Sequence, residues 1–181
     1  VHSHLDCLSA YPLKAAKKNG VPVRIAHSHN TSQEKNLKYL IKDYSKKQIP
    51  KYATHLFACG KEAGKWMFGK HKFQIMNNAI DAKKFIYNEE VRKQKRVELG
   101  VEDKFVIGHV GRFNLQKNHE FLVKRFADFA KTNEDAVLVL IGNGELQEKI
   151  KEMAKEYGIE TKVKFLGLRE DIPQLLQAMD L

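Results

Sequence analysis

The sequence predicts an α/β fold built on parallel sheets. Phe105–Val110 and Val137–Ile141 are nearly unbroken apolar runs, which is typical of parallel strands buried on both faces. Apolar residues recur at the spacing of a helix face at Leu122, Phe126, Phe129 and Ala130, and again from Leu146 to Tyr157. Alternation of strand and helix favours right-handed crossovers between parallel strands.

Shorter strands are predicted in the first part of the chain. Val23–Ala26, His55–Ala58 and Phe73–Met76 have the required composition. Residues 1–4 are typical of the end of a strand, and residues 178–181 of the beginning of one. Because neither end has a polar fringe, we expect the chain to be a fragment of a longer protein.

A boundary between two domains is predicted near the turn-forming segment 77–81, Asn-Asn-Ala-Ile-Asp. Residues 1–76 would be the last part of one Rossmann-like domain, and residues 77–181 most of a second. Each side of this boundary carries its own series of strands and helices.

Composition excludes several classes of protein. The chain has 181 residues, of which 43% are hydrophobic, so a packed core is expected and disorder is not. No run reaches the roughly 18 apolar residues that a membrane span needs. The two cysteines, Cys7 and Cys59, lack the spacing of a metal site. They are compatible with a reducing compartment, and we expect a cytoplasmic protein.

Positive charge is concentrated in the first part of the chain. Residues 1–72 carry 14 Lys and Arg against 4 Asp and Glu, a net charge of +10, whereas the other 18 basic and 18 acidic residues cancel. This asymmetry indicates an anionic partner, such as nucleic acid, lipid head groups or a phosphorylated substrate. A solvated lysine-rich face is the alternative interpretation.

A diphosphate-binding loop is predicted after Phe105–Val110. Gly111 allows close backbone approach, Arg112 offers a fork for phosphate oxygens, and Lys117 adds a point charge. A helix that begins near Asn118 would add free N–H groups. Ligands of open parallel sheets bind at the carboxyl ends of strands, where this loop lies. Solvated loop residues are the alternative.

Two further strand ends have candidate roles. Gly142-Asn143-Gly144-Glu145 resembles the start of a dinucleotide fingerprint, but Gln147 stands where the third glycine belongs, which excludes the NAD interpretation. Residues 165–169, Phe-Leu-Gly-Leu-Arg, could wall a pocket for a flat ring, with the Arg169 guanidinium against its face. Both segments could also be purely structural.

Two His-x-His pairs, His2/His4 and His27/His29, could each chelate a metal because alternate strand residues point the same way. Cys7 stands where the similar zinc-hydrolase pattern has its next histidine, and no further ligand set follows. We therefore predict no metal site. One histidine facing an interdomain cleft is the preferred functional interpretation.

These segments occur in the order found in retaining GT-B glycosyltransferases of family four, and the chain resembles the bacterial capsular and exopolysaccharide branch. The resemblance rests on five motifs in order: residues 24–31, Asn78-Ala79-Ile80-Asp81 with Phe85, Val110-Gly111-Arg112 with Lys117, residues 141–144, and Phe165-Leu166-Gly167. The second motif has alanine where the family has glycine. The likeness covers essentially the whole chain.

The resemblance implies roles for individual residues. Arg112 and Lys117 would hold the donor diphosphate and stabilise the leaving nucleotide, and His29 would lie near the reacting sugar. The other donor-binding residues would be Gly111, Gly142, Gly144, Phe165, Gly167, Leu168 and Arg169. The family needs no metal or other cofactor, and uridine is the expected base. Its glutamate pair lies beyond residue 181, so we expect the fragment to be inactive alone.

The implied partners are a nucleotide-sugar donor and a glycan or lipid-linked acceptor. Residues 1–72 would then contact an anionic membrane surface from the cytoplasm, at the inner face. Three alternatives stay open: a basic nucleic-acid-binding module, a metal hydrolase built on the His-x-His pairs, and a GT-B epimerase or sugar phosphorylase. The first lacks the interleaved aromatics of a single-strand platform, so we expect no nucleic-acid partner.

Overall fold

The structure is a computed structural model that describes residues 1–33 and 39–181. It divides into two compact units, Val1–Ile80 (unit 1) and Asp81–Leu181 (unit 2). Three residues counted in the basic segment, Glu34, Lys35 and Lys38, lie outside the described residues. Within the described part of the chain, no helix has the length and apolar character needed to cross a membrane.

Unit 1 is built on a four-stranded parallel sheet. Its strands follow chain order: β1 (His2–Ser3), β2 (Ile25–Ser28), β3 (His55–Ala58) and β4 (Gln74–Ile75). The helices are α1 (Ala10–Lys18), α2 (Tyr39–Tyr52) and α3 (Lys61–Phe68). Leu13, Ile49 and Ala58 are fully buried in the core between sheet and helices.

The second strand lies two residues later than the sequence predicted. Arg24 ends the preceding loop, where its backbone N–H donates to the Thr54 hydroxyl at 2.8 Å. Pairing with β1 and β3 starts only at Ile25, so the strand is Ile25–Ser28 rather than Val23–Ala26. His27 consequently lies inside the sheet and is only 5% exposed.

Unit 2 is built on a three-stranded parallel sheet with helices on both faces. The strands are β5 (Phe105–Val110), β6 (Ala136–Ile141) and β7 (Val163–Gly167), in that order. The helices are α4 (Glu89–Leu99), α5 (His119–Ala130), α6 (Gln147–Glu156) and α7 (Ile172–Gln177). Every residue of β6 is buried, as its apolar sequence predicted. The α/β class with parallel sheets is confirmed.

A charged network attaches the last residues to the edge of this sheet. Asp180 N–H donates to the Val106 carbonyl at 2.8 Å, and Val106 N–H donates to the Asp180 carboxylate at 2.8 Å. The guanidinium groups of Arg92 and Arg96 lie 2.5 and 3.2 Å from that carboxylate. Burial raises the pKa of Asp180, but the Val106 N–H and the two arginines outweigh it, so its pKa is lowered overall.

Candidate functional site

Three loops meet at the carboxyl edge of the unit 2 sheet. Backbone hydrogen bonds join them one to the next: Gly111 N–H donates to the Ile141 carbonyl at 2.9 Å, and Gly142 N–H donates to the Gly167 carbonyl at 2.8 Å. Phe113 N–H donates to the Asn143 carbonyl at 3.0 Å. The loops after β5, β6 and β7 therefore form one continuous surface at the place where open parallel sheets bind ligands.

Gly142 and Gly144 allow this close approach. Gly142 has a φ of +136°, and a Cβ there would lie 2.2 Å from the Gly111 carbonyl oxygen. A Cβ on Gly144 would lie 2.4 Å from the Phe113 carbonyl oxygen. Both positions are thus restricted to glycine by backbone packing, whatever they contribute to a ligand.

An aromatic stack supports the loop after β5 from below. Phe113 is fully buried, and its ring stacks on His119 with centroids 4.2 Å apart. His109 meets the same imidazole edge-on at 4.7 Å. Burial, together with the positive charges of His109 and Lys117, lowers the pKa of His119 to about 4. Sequence reasoning missed all three residues, because the meeting of a strand residue, a loop residue and the first residue of a helix depends on tertiary packing.

Arg112 projects from this loop toward solvent. Its side chain is 70% exposed, and it forms an ion pair with Glu145 at 3.1 Å. The Glu145 pKa is lowered by a hydrogen bond from its own backbone and by Arg112, so the carboxylate is ionised at neutral pH. Glu145 is a fourth residue that sequence reasoning missed, although it follows Gly144 directly. A diphosphate that binds Arg112 would have to displace the Glu145 carboxylate from the guanidinium.

Lys117 extends back over the same loop. Its aliphatic stem is the nearest group to Gly111, where an added Cβ would lie 3.1 Å from it. The Asn114 side chain accepts a hydrogen bond from Lys117 N–H at 3.1 Å, and Asn118 has a φ of 50°, which starts α5 immediately afterwards. The residues between Gly111 and Lys117 therefore form a compact turn that brings the Lys117 side chain back to Gly111.

A cleft of about 340 Å³ opens at this edge of the sheet. It is lined by Val110, Gly111, Arg112, Ile141, Gly142, Asn143, Leu168, Arg169 and Ile172. Five of these are predicted donor-binding residues. Its walls are mostly apolar and include two cationic side chains, Arg112 and Arg169, a combination suited to a flat ring attached to an anionic group.

Phe165 does not line this cleft. Its ring packs in the core with Phe113, at 6.0 Å between centroids, and the Lys151 ammonium lies 5.9 Å from it. Even-numbered residues of β7 and odd-numbered ones face opposite sides of the sheet, which directs Phe165 to the α6 side. Lys117, Gly144 and Gly167 also lie outside the cleft wall, next to residues that form it.

Arg169 lines the cleft, but carboxylates hold its guanidinium. Asp171 accepts from Arg169 at 2.7 Å and Glu98 accepts at 2.8 Å, and Lys95 bridges the same two acids. These contacts raise the pKa of Arg169 and lower that of Asp171. Such ion pairs use the edge N–H groups of the guanidinium, so the predicted stacking of its face on a ring stays compatible with them. Leu168, 77% exposed, is free to contact a ring.

His29 lies at the corresponding carboxyl edge of the unit 1 sheet. It follows β2, and its Nε2 is 2.8 Å from His4 Nδ1. Its Nδ1 is 3.1 Å from Asn78 Oδ1. The structure brings both His-x-His pairs together here, whereas spacing alone related only the members of each pair. The catalytic role of His29 stays a prediction.

Comparison with known proteins identifies the family. The family described as Glycosyl transferases group 1 matches residues 90–181, which include the whole cleft. A putative glycosyltransferase, EpsF of Bacillus subtilis, is 35% identical over 99% of this chain and 49% of its own length. An Escherichia coli protein named UDP-Gal:alpha-D-GlcNAc-diphosphoundecaprenol alpha-1,3-galactosyltransferase is 30% identical over 60% of this chain and 29% of its own length.

Solved structures show the same fold. The crystal structure of HepE from Anabaena in complex with UDP-glucose covers 95% of this chain and 49% of its own, with a TM-score of 0.81 and 24% identity. The predicted GT-B type of fold is thereby confirmed. This chain spans about half the length of EpsF and of HepE. These findings do not favour the nucleic-acid-binding and metal-hydrolase alternatives. The chain belongs to the group 1 glycosyltransferases.

Proposed function

We propose that this protein transfers a sugar from a nucleotide diphosphate, with UDP as the carrier, to a glycan or lipid-linked acceptor, and that it does so with retention in polysaccharide synthesis. The observation that carries the proposal is the unit 2 cleft, which collects Gly111, Arg112, Gly142, Leu168 and Arg169 from three separate loops. These residues were predicted as donor-binding from their places at strand ends and from the resemblance to the family.

The cleft suggests how the donor would be held. The apolar floor, which includes fully buried Ile141, would accept the uracil ring. Arg112 would exchange Glu145 for the diphosphate, because a doubly charged group competes well for an exposed guanidinium. Lys117, anchored over Gly111, would add a second fixed positive charge.

These cations also suggest the catalytic contribution of unit 2. As the glycosidic bond breaks, negative charge grows on the departing diphosphate, and Arg112 and Lys117 would stabilise it electrostatically. We propose that transfer uses this charge pair rather than a bound metal at the diphosphate. His29 of unit 1 is retained as a proposed catalytic residue.

The choice of UDP and of acceptor class rests on relatives. HepE binds UDP-glucose, and the E. coli relative is named for a UDP-linked galactose and a diphosphoundecaprenol acceptor. A Campylobacter jejuni relative, 32% identical over 53% of this chain, is also named for a diphospho-undecaprenol acceptor. The proposed role in exopolysaccharide synthesis follows the likeness to EpsF.

Calorimetric titration with UDP, GDP and ADP in EDTA tests the donor site. We expect binding of UDP without metal, and a Kd at least about tenfold higher in the Arg112→Ala/Lys117→Ala variant, because each charged hydrogen bond is worth about 1.5–3 kcal/mol. Arg125→Ala/Lys124→Ala removes the same charges from the exposed face of α5 and should leave UDP affinity unchanged.

Three outcomes would contradict this assignment. Binding of GDP or ADP in preference to UDP would change the carrier, and a strict requirement for a divalent ion would remove the charge-pair argument. Equal loss of affinity in the Arg125→Ala/Lys124→Ala control would show a general effect of net charge rather than a site at the loop.

We also propose peripheral contact with an anionic membrane through α1 and α2. Lys14, Lys17 and Lys18 are exposed on α1, and apolar Ile41 and Tyr44 are 58% and 66% exposed on α2. The two helices pack together, so cationic and apolar side chains share one region of unit 1. Lysine near an anionic leaflet contributes about 1 kcal/mol, and exposed apolar side chains can enter the interface.

Vesicle co-sedimentation checks this contact. We expect binding to phosphatidylglycerol-containing vesicles at low salt, loss at high salt, and at least about tenfold weaker binding for Lys17→Glu/Lys18→Glu. The matched reversal Lys124→Glu/Lys131→Glu in unit 2 should bind as the parent does. Indifference of the parent protein to anionic vesicles at low salt would refute the proposal.

A further inference from the structure

Four imidazoles form a cluster at the carboxyl edge of the unit 1 sheet. In the parallel register, His2 pairs with Ile25 and Ser3 with Ala26, which brings His4 level with His27. Because alternate residues share a face, all four histidines of the two pairs point the same way. Neighbouring ring centroids in the cluster are 4.2–5.3 Å apart.

The nitrogens of three rings are spaced as metal ligands would be. His2 Nε2 lies 3.2 Å from His27 Nδ1, and one ring nitrogen from each of His2, His4 and His27 lies within 4.8 Å of the others. Two nitrogens bound tetrahedrally to one zinc ion at about 2.0–2.1 Å are separated by roughly 3.3 Å. A shift of less than 1 Å would therefore bring the His2 and His27 nitrogens to the spacing of two zinc ligands. Only the His4 ring needs a larger rotation.

A relay behind His4 sets its tautomer. The Asn78 amide oxygen can only accept, so His29 Nδ1 donates to it and His29 Nε2 keeps a lone pair. His4 Nδ1 must then donate to His29 Nε2, which leaves the His4 lone pair on Nε2. Partners of this kind behind a ligand are typical of metal-binding histidines, whose second N–H is held by another acceptor.

His27 is held inside the sheet, which limits how its ring can move. The residue is only 5% exposed, and Nδ1 is the ring nitrogen that faces His2. The Phe57 ring meets both His2 and His27 edge-on at 6.1 Å, which fixes their orientation.

We propose that unit 1 binds a late transition metal ion, with Zn²⁺ as the reference ion, through His2, His4 and His27. His29 and Asn78 position His4 from behind, and water completes the coordination. Imidazole is the ligand type that Zn²⁺, Cu²⁺ and Ni²⁺ prefer. This site revises the expectation that the His-x-His pairs hold no metal. The site belongs to unit 1, whereas the proposed donor cleft belongs to unit 2, and its role would be to tie the end of β1 to β2.

Zinc titration against a chromophoric chelator tests the site. EDTA-treated, desalted protein should bind one equivalent of Zn²⁺, and His27→Gln and His4→Gln should each raise the Kd at least about tenfold. His71→Gln, which removes an exposed histidine of the same unit, is the matched control and should leave the Kd unchanged. Co²⁺ should give visible d–d bands typical of four-coordinate ligation in the parent and control only.

Two results would overturn the proposal. The first is a Kd for zinc that His4→Gln leaves unchanged, and the second is a parent protein that binds no Zn²⁺. Because His4 is exposed, that variant is decisive even if His27→Gln fails to fold. UDP affinity measured in EDTA should be the same in the parent and in His4→Gln, which separates failure of this site from failure of the donor site.

Discussion

Alanine at position 144 is expected to destabilise unit 2 by about 3 kcal/mol and to weaken UDP binding. A Cβ there would lie 2.4 Å from the Phe113 carbonyl oxygen and 2.6 Å from the Phe113 nitrogen, which are backbone atoms that cannot rotate away. Relief requires the loop after β5 to move off the loop after β6. That movement would break the Phe113–Asn143 hydrogen bond and carry Arg112 with it.

Gly158→Ala is the matched control for this substitution. Gly158 has a φ of +66°, and an added Cβ would meet no atom within 4 Å, so alanine there costs only the backbone strain of about 1 kcal/mol. Denaturant unfolding followed by circular dichroism gives both values. The single tryptophan, Trp66, reports separately on unit 1. If Gly144→Ala unfolded no earlier than Gly158→Ala, the collision argument would be wrong.

The parts of the fold that sequence predicted well are those governed by burial. Phe105–Val110 coincides with β5, and β6 starts one residue before the predicted Val137. Continuous apolar runs were easy to place, because they are stable only as strands of a sheet that is covered on both faces. The loop after β5 was predicted for a related reason. Once a parallel strand is located, its carboxyl end is the edge where open sheets bind ligands, and a glycine followed by an arginine there can approach and bind phosphate.

Details that depend on tertiary packing could not be predicted. Nothing in the spacing of Arg112 and Glu145 indicates that they pair across 33 positions, since their contact exists only when Gly142 and Gly144 let two loops touch. For Arg169, its position just after a predicted strand gave a ring-stacking prediction. Its carboxylate partner Glu98 comes from α4, which is 71 residues away in sequence.

The histidine pairs show a limit of a different kind. Period-two alternation related His2 to His4 and His27 to His29, but the meeting of the two pairs depends on the register between β1 and β2. Because a strand start misplaced by two residues preserves the facing of every side chain, the error did not change which side each histidine faces. It did hide the burial of His27 within the sheet.

Acidification is expected to destabilise unit 2 through His119. This histidine is 1% exposed, and neither ring nitrogen has a hydrogen-bond partner in the part of the chain that the structure describes. Burial, His109 and Lys117 lower its pKa from 6.5 to about 4. The unfolded chain therefore binds the proton more tightly than the folded one. The stability that neutral His119 contributes is complete above pH 6.5 and is lost as the pH falls toward 4.

The magnitude makes this effect measurable. A shift of this size is worth roughly 3 kcal/mol in full, and about 2 kcal/mol of it should already be lost at pH 5. His109, whose pKa burial and Lys117 also lower, acts in the same direction. Phenylalanine at position 119 would keep the stack on Phe113 and cannot take up a proton. We expect His119→Phe to match the parent at pH 7.5 and to exceed its free energy of unfolding by about 2 kcal/mol at pH 5.

His71→Gln serves as the control, because this exposed histidine lies in unit 1 and away from the stack. It should lose stability with falling pH in parallel with the parent. If His119→Phe also fell in parallel, the imidazole would already be solvated or protonated in the folded state. In that case the stack of Phe113 on neutral His119 would not be what stabilises the loop that carries Arg112. If the free energy of unfolding changed little with pH in His119→Phe alone, the pH sensitivity of the loop after β5 would come from the His119 imidazole.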